Sequence, residues 1–565
     1  MDSFRSLVAV LAQRAVEQAD DRAYVFVSDR GTEEAALTFR QLHDSANALA
    51  ARLTAAARPG DRAILVFPPG VEFLVAFFGC LMADIIAVPM MMPRRNSARD
   101  ASAAILANCT PALALTTSAF ALRGDLQARF AQENIRWIEV DLVGDGAATD
   151  LPEPAPDDIA FLQYTSGSTS EPKGVIVSHT NLLANLEMIR LALGNTRQST
   201  YVNWVPLYHD MGLILNALQT LYVGATCVLM APNAFMQRPL GWLRAISHYR
   251  AEVACGPNFG FDLCVSRYRA DQMEGVDLST LKIALNGAEP VHAETIERFV
   301  QTFGPYGFDP RAMYPAYGMA EATLLISAGM RGDGHVTRSV SRAALHAHAA
   351  EPPSSREDTQ IAVGCGRALA GERIAIVDPE KRTRLPADRV GEIWVSGANV
   401  ARAYWRNDEA TRDGLNAEIT GENGPWLRTG DLGFLDGSGE LFVTGRVKDL
   451  IIIRGINHYP QDIERTVQSL DGALRENCGA AFSVPDESDE EMLVIVQEVE
   501  RTARHTIDAE EIKGQIREAI ADGHELSARH IALIRPGALP KTTSGKIQRK
   551  LARRLWLAGG LEEIG

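Results

Sequence analysis

At 565 residues, with 46% hydrophobic and 22% charged side chains, the chain is too long for one hydrophobic core, so at least two domains are expected. A formal net charge of -15 leaves no broad basic face to release counterions, which argues against nucleic acid as a partner. Seven cysteines without a CxxC pair fit reduced thiols in a cytoplasmic protein and argue against a structural zinc site.

The N-terminal run around LVAVLAQRAVEQ is broken by Gln13 and Arg14 and has no cleavage site after it, so it reads as an amphipathic helix leading into a strand. The most apolar stretch, VEFLVAFFGCLMADIIAVPMMMP from Val71, is interrupted by Glu72, Asp84 and Pro89. It predicts a buried helix and then a buried strand, with no stable membrane insertion. From Arg62 to about Met230, the apolar runs AILVF, IIAVPM, ALALTT, IAFLQYT and ATCVLM alternate with segments of helical period. That alternation predicts an α/β architecture with mostly parallel strands.

One helix is predicted at NLLANLEMIRLAL, with Leu182, Leu183, Leu186, Ile189 and Leu193 on one face and Thr180 or Asn181 as its cap. Residues 331–360 are polar and rich in small side chains and read as an exposed connection. The runs ERIAIVD, GEIWVSG and GELFVTG, closed by Asp or Gly, suggest a small β subdomain. Beyond GRVKDLIIIRG, about 115 residues carry strand and helix signals of their own, enough for a compact α+β domain.

The stretch YTSGSTSEPKGVIVSH, residues 164–179, is the first with chemical content. Consecutive Gly, Ser and Thr residues let backbone N–H groups converge on one concavity and add hydroxyl donors, and Lys173 can set a positive charge beside it. The order does not match GxxxxGK[ST], and GVIVSH signals a strand where a P-loop requires a helix. A plain polar hairpin has the same composition. The order T-S-G-S-T-x-x-P-K-G is more restrictive.

That order resembles the phosphate loop of the adenylate-forming enzymes, which include acyl-CoA synthetases, adenylation domains and luciferases. Further similar strings follow in order: NGAEP from Asn286, YPAYGMAEAT from Tyr314, LRTGDLGFLDGSGELFVTGRVKDLI, and LPKTTSGKIQRK from Leu539. NWVPLYHDMGLI, GPNFGFDLC and IIIRGINHYPQDIE are similar to the fatty acyl-AMP ligase branch. The resemblance implies a large N-terminal adenylation domain, residues 1–446, of two α/β subdomains plus a β-barrel. A small mobile α+β C-terminal domain, residues 447–565, would hinge near Lys448.

The roles implied run residue by residue. Thr165, Ser166, Gly167, Ser168, Thr169 and Lys173 would cradle the β- and γ-phosphates of ATP. Tyr317 would stack on adenine, with Gly287, Ala288 and Glu289 along its edge, and Asp431 with Arg446 would hold the ribose hydroxyls. Glu321 would hold Mg²⁺ between the phosphates. Lys546 would bridge the fatty acid carboxylate and the α-phosphate. His209 would either steer that carboxylate or serve as a hydrogen-bonded structural histidine. The family often has Thr where this chain has Ala320, and Thr323 or the loop hydroxyls could substitute. The acyl pocket is expected near NWVPLYHDMGLILNAL and GPNFGFDLC. Six basic residues in 541–554 could dock an acyl carrier protein or form a solvated helix face. The enzyme implied activates a fatty acid to acyl-AMP and passes it to a phosphopantetheinylated acyl carrier protein. An acyl-CoA synthetase shares the same apparatus, and a non-catalytic adenylate-binding protein is the alternative of another class.

Overall fold

The computed structural model describes residues 4–91, 102–122, 135–141, 151–165, 172–453, 456–486, 491–524, 526–541 and 546–564. Two sheets carry most of the chain. One has six strands, in the order Arg136–Glu139, Leu113–Thr116, Arg62–Leu65, Ile86–Pro89, Ile159–Thr165 and Lys173–Ser178. The other has nine, from Glu33–Thr38 at one edge to Arg367–Ala368 at the other. Parallel pairs run through the middle of both. The inner strands LALT, IAVP, VACG and IALN are buried at every position, as strands covered on both faces must be.

The apolar stretch from Val71 forms the helix Glu72–Met82, buried all round after its first residue, and then the strand Ile86–Pro89. Among the described residues no helix is long and apolar enough to cross a membrane. The helix predicted at NLLANLEMIRLAL begins earlier than its apolar face suggested, at His179, and its cap is Ser178 rather than Thr180 or Asn181. The Ser178 hydroxyl accepts from Asn181 N–H and the Asn181 side chain accepts from Ser178 N–H, a reciprocal capping box. This draws His179 inside, where Nδ1 accepts the Leu7 N–H at 3.2 Å and ties down the N-terminal helix Leu7–Glu17.

Residues 331–360 depart from the exposed connection expected of them. Thr337–Ser341 pairs antiparallel with Thr359–Val363, and a short helix Arg342–His346 lies between. Val340, Leu345 and Ala350 pack with Phe434 and Phe442, a small core that a polar average conceals. The β region is an antiparallel sheet of Arg373–Val377, Gly391–Ser396, Leu427–Leu435 and Leu441–Arg446.

From Ile451 onward the chain builds an α+β unit around the strands Leu474–Pro485, Glu491–Val499 and Ala528–Ile534. Ile463, Val467, Ile512 and Ile516 pack on one face of this sheet, and Ala552, Leu555 and Trp556 on the other. Arg549 grips Glu464 with two hydrogen bonds of 2.7 Å and reaches Asp449 at 3.2 Å. Three of the six basic residues in 541–554 have partners within this unit. Lys541 donates to the Asn477 carbonyl, Arg549 turns inward and Arg553 donates to the Ser483 carbonyl, while Arg554 is exposed.

Burial holds the pKa of His179 down at about 4, against an ordinary 6.5. The unfolded chain therefore binds the extra proton between those values, so the contribution of His179 to stability is complete above pH 6.5 and falls as pH drops toward 4. A His179→Gln variant should lose less unfolding free energy than the parent over that interval, by about 3 kcal/mol. Urea unfolding at pH 7 and pH 4.5 measures the difference, and parallel pH slopes for the two proteins would contradict it.

Candidate active site

The strands Ile159–Thr165 and Lys173–Ser178 pair antiparallel with Thr165 opposite Lys173, so the loop predicted to hold phosphate joins two strands. Ser166, Gly167, Ser168 and Thr169 lie outside the described residues. Lys173 sits at the base of that loop, its Nζ 4.9 Å from the centre of the Tyr404 ring.

NGAEP closes the strand Ile283–Asn286. Gly287 passes so near the neighbouring strand that a Cβ would lie 2.8 Å from the Ala316 carbonyl oxygen, so only glycine fits. Ala288 takes a left-handed φ of 67°, which swings Glu289 toward the helix Asn258–Ser266, where its carboxylate accepts the Phe259 N–H at 2.6 Å. Burial raises the Glu289 pKa to about 7, against the opposing pull of that N–H and of Lys546.

Tyr317 lies on the strand Met313–Gly318, and Glu321 in the 3₁₀ turn after it. The Tyr317 hydroxyl donates to Asp431 Oδ2 at 2.7 Å, and Arg446 Nε donates to Oδ1 at 2.9 Å. One carboxylate thus joins an aromatic ring to the last residue of the strand Leu441–Arg446, with accepting capacity left on each oxygen. Glu321, 8% exposed, accepts the Tyr404 hydroxyl at 2.9 Å. Burial raises its pKa, and the charges of Asp210 and Asp431 add to the rise against the Tyr404 hydrogen bond. Thr323 is fully buried with its hydroxyl donated to the Asn399 carbonyl, so it does not replace the hydroxyl missing at Ala320.

His209 and Asp210 precede a π-helix, Met211–Leu218, whose N-terminus Asp210 caps by accepting the Met211 N–H at 2.7 Å. His209 Nδ1 lies 2.6 Å from Asp210 Oδ1. Burial alone would raise the Asp210 pKa, yet His209 and Lys546 outweigh it and hold it low. The two strings expected to line an acyl pocket do meet: Trp204 lies against Gly256 and Gly260, 5.8 Å from the Phe259 ring and stacked on Phe235.

Lys546 comes from the far end of the chain into this same centre. Withdrawal from water lowers its pKa, with Arg446 assisting, while Asp210, Asp431 and Glu289 pull it back up. Lys448 stands in the short turn Val447–Asp449, where the β region leads into the C-terminal unit. The arrangement sets a cation in the field of Asp431 and Glu289, predicted to meet the ribose and the adenine, and of Asp210, the neighbour of His209. Tyr404, which joins Lys173 to Glu321, is the site residue that the motifs missed. The aromatic pair in ARAYWRN was its only local signal.

Residues 11–405 match the family described as AMP-binding enzyme, and residues 448–565 match the AMP domain described as Disco-interacting protein 2-like. The medium-chain fatty acid–acyl-carrier-protein ligase JamA of Moorena producens is 41% identical over 99% of this chain and 96% of its own. A 4-hydroxyphenylalkanoate adenylyltransferase of Mycobacterium marinum is 37% identical over 96% of this chain and 90% of its own. Among solved structures, a fatty acyl-adenylate ligase from L. pneumophila in complex with acyl adenylate and pyrophosphate is 38% identical. It covers 98% of this chain and 96% of its own, with a TM-score of 0.76. With these matches spanning nearly its whole length, the chain belongs to the AMP-binding enzyme family, in its fatty acyl-AMP ligase branch.

Proposed function

We propose that the protein joins a fatty acid to AMP with release of pyrophosphate and then passes the acyl group to the phosphopantetheine thiol of an acyl carrier protein. The observation that carries this reading is that Lys546, withdrawn from water, feels the charges of Asp210, Asp431 and Glu289 together. A carboxylate cannot lose oxide, so it first needs a better leaving group. Its oxygen attacks the α-phosphate in line while pyrophosphate departs, and two anions must be held together as charge develops. Lys546 supplies a fixed cation between them.

The nucleotide takes the residues that carry the family's motifs. Tyr317 stacks on adenine, and Gly287, Ala288 and Glu289 line its edge. Asp431 and Arg446 take the ribose hydroxyls. Thr165, the loop 166–169 and Lys173 meet the β- and γ-phosphates. His209, held by Asp210, faces the carboxylate of the acid.

Glu321 suits Mg²⁺, a hard cation that needs one or two carboxylates beside phosphate oxygens and water. Its carboxylate accepts the Tyr404 hydroxyl, and the nearby charges of Asp210 and Asp431 favour a cation. The metal would draw charge off the phosphates, and Glu321 would anchor it.

In the second step the thiol attacks the acyl carbon and AMP leaves. Residues 447–565 turn about Lys448 to withdraw Lys546 and admit the thiol. The seven buried free cysteines are consistent with a cytoplasmic setting. The Mycobacterium marinum relative makes an arylalkanoate the competing acid, and coenzyme A is the competing acceptor.

Given ATP, Mg²⁺, fatty acids of several lengths, a 4-hydroxyphenylalkanoate, and either coenzyme A or a phosphopantetheinylated carrier, the protein should yield fatty acyl-AMP and acyl-carrier. Mass spectrometry follows the products, and efficient acyl-CoA formation would contradict the carrier assignment. Lys546→Ala should lower acyl-AMP formation by about 10²–10³-fold while sparing transfer from supplied acyl-AMP. Equal loss in both steps would place Lys546 elsewhere. Lys448→Pro should leave acyl-AMP formation near the parent level and slow transfer to the carrier, as single-turnover rates of each step would reveal.

A further inference from the structure

The segment 401–405 is fastened to both sides of the phosphate end of the site. Trp405 N–H donates to the Gly174 carbonyl at 2.7 Å and Ile176 N–H to the Ala403 carbonyl at 3.1 Å, which lays the segment along the strand Lys173–Ser178. On the other side, Ala401 N–H donates to the Glu321 carbonyl at 2.8 Å. Tyr404, 7% exposed, stands between these anchors, and its own N–H is held by the Thr411 hydroxyl at 3.0 Å. The phenol donates to Glu321 Oε1 at 2.9 Å, and the face of the same ring meets Lys173 Nζ at 4.9 Å.

Each contact removes a different freedom. The terminal torsion of a glutamate is broad, so a hydrogen bond to one oxygen settles where the other points. A lysine ammonium rides on a flexible four-carbon stem, and an aromatic face at this range restricts where it rests. We propose that Tyr404 is a positioning residue that aims the Glu321 carboxylate at the metal and holds the Lys173 ammonium beside the phosphates, so that one side chain sets both charges. This rests on the roles given above to Glu321 and Lys173. A tyrosine that merely fills space would contribute only stability.

The test uses the full chain and needs no turnover. Mn²⁺ binding is followed by electron paramagnetic resonance in the presence of a non-hydrolysable ATP analogue, alongside thermal melting. Tyr404→Phe, which keeps the ring, should weaken Mn²⁺ binding about tenfold, the scale of one hydrogen bond to a charged group, with little change in melting temperature. Affinity for the analogue at saturating metal should stay unchanged, and excess Mg²⁺ should restore acyl-AMP formation. Tyr404→Leu should weaken the analogue as well, and Lys173→Met should add little on that background, since the two side chains act through one contact.

Parent-like Mn²⁺ binding in Tyr404→Phe, or additive losses for Tyr404→Leu and Lys173→Met, would overturn the proposal. So would a parent protein that binds no Mn²⁺ with the analogue. A parent that shows the expected metal effects yet forms no acyl-AMP would leave Tyr404 in place and remove the proposed reaction instead.

Discussion

Three carboxylates held in a weakly hydrated centre set the terms for the rest of the molecule. Asp210, Glu321 and Asp431 come from a helix start, a 3₁₀ turn and a sheet strand, and burial raises the pKa of Glu321, with the charges of Asp210 and Asp431 adding to the rise. Like charges crowd only where each has its own donors. Asp210 has the Met211 N–H and His209, Glu321 has Tyr404, and Asp431 has Tyr317 and Arg446. The centre is therefore not simply a basic bowl for anions. Of its cations, Arg446 is held by Asp431, Lys546 feels the charges of Asp210, Asp431 and Glu289, and Lys173 lies over the Tyr404 ring.

Much of this was legible in the chain because the residues that touch a nucleotide are carried by short ordered strings. The runs IAFLQYT and GVIVSH put the Ser/Thr/Gly loop between two strands, and the pairing of Thr165 with Lys173 agrees. The parallel sheets were legible from apolar runs bounded by turn residues. Local chemistry also misled. Thr180 and Asn181 looked like caps because the apolar face begins at Leu182, yet Ser178 caps two residues before Thr180 because Asn181 answers it from the third helical position. LRTGDLGFL gives no strand signal in the sequence because its burial does not alternate, with Asp431 to Phe434 buried in succession.

Other features were illegible because they exist only between distant segments. Tyr404 meets Glu321 across 83 positions, and no window around ARAYWRN contains either of its charged partners. By charge alone the basic run 541–554 offers either a docking face or a solvated helix face, because charge counts do not show direction. Lys541 and Arg553 spend their donors on backbone carbonyls, and Arg549 spends its own on buried carboxylates. A patch inferred from composition holds only where the side chains point outward.

The Arg549 cluster also bears on how the C-terminal unit delivers its lysine. Arg549 lies three residues after Lys546, and its partner Asp449 is the neighbour of Lys448. Breaking a buried ion pair by removing one partner costs about 3–5 kcal/mol, so the cluster resists internal bending more than a surface pair would. If Lys448 is the hinge, the lysine loop and the residue beside the hinge are joined through one guanidinium. A turn at Lys448 then reaches Lys546 without being absorbed by the intervening chain. Placement of that ammonium becomes a property of one backbone torsion region and a rigid lever, which is how a single lysine could serve one step and be absent from the next.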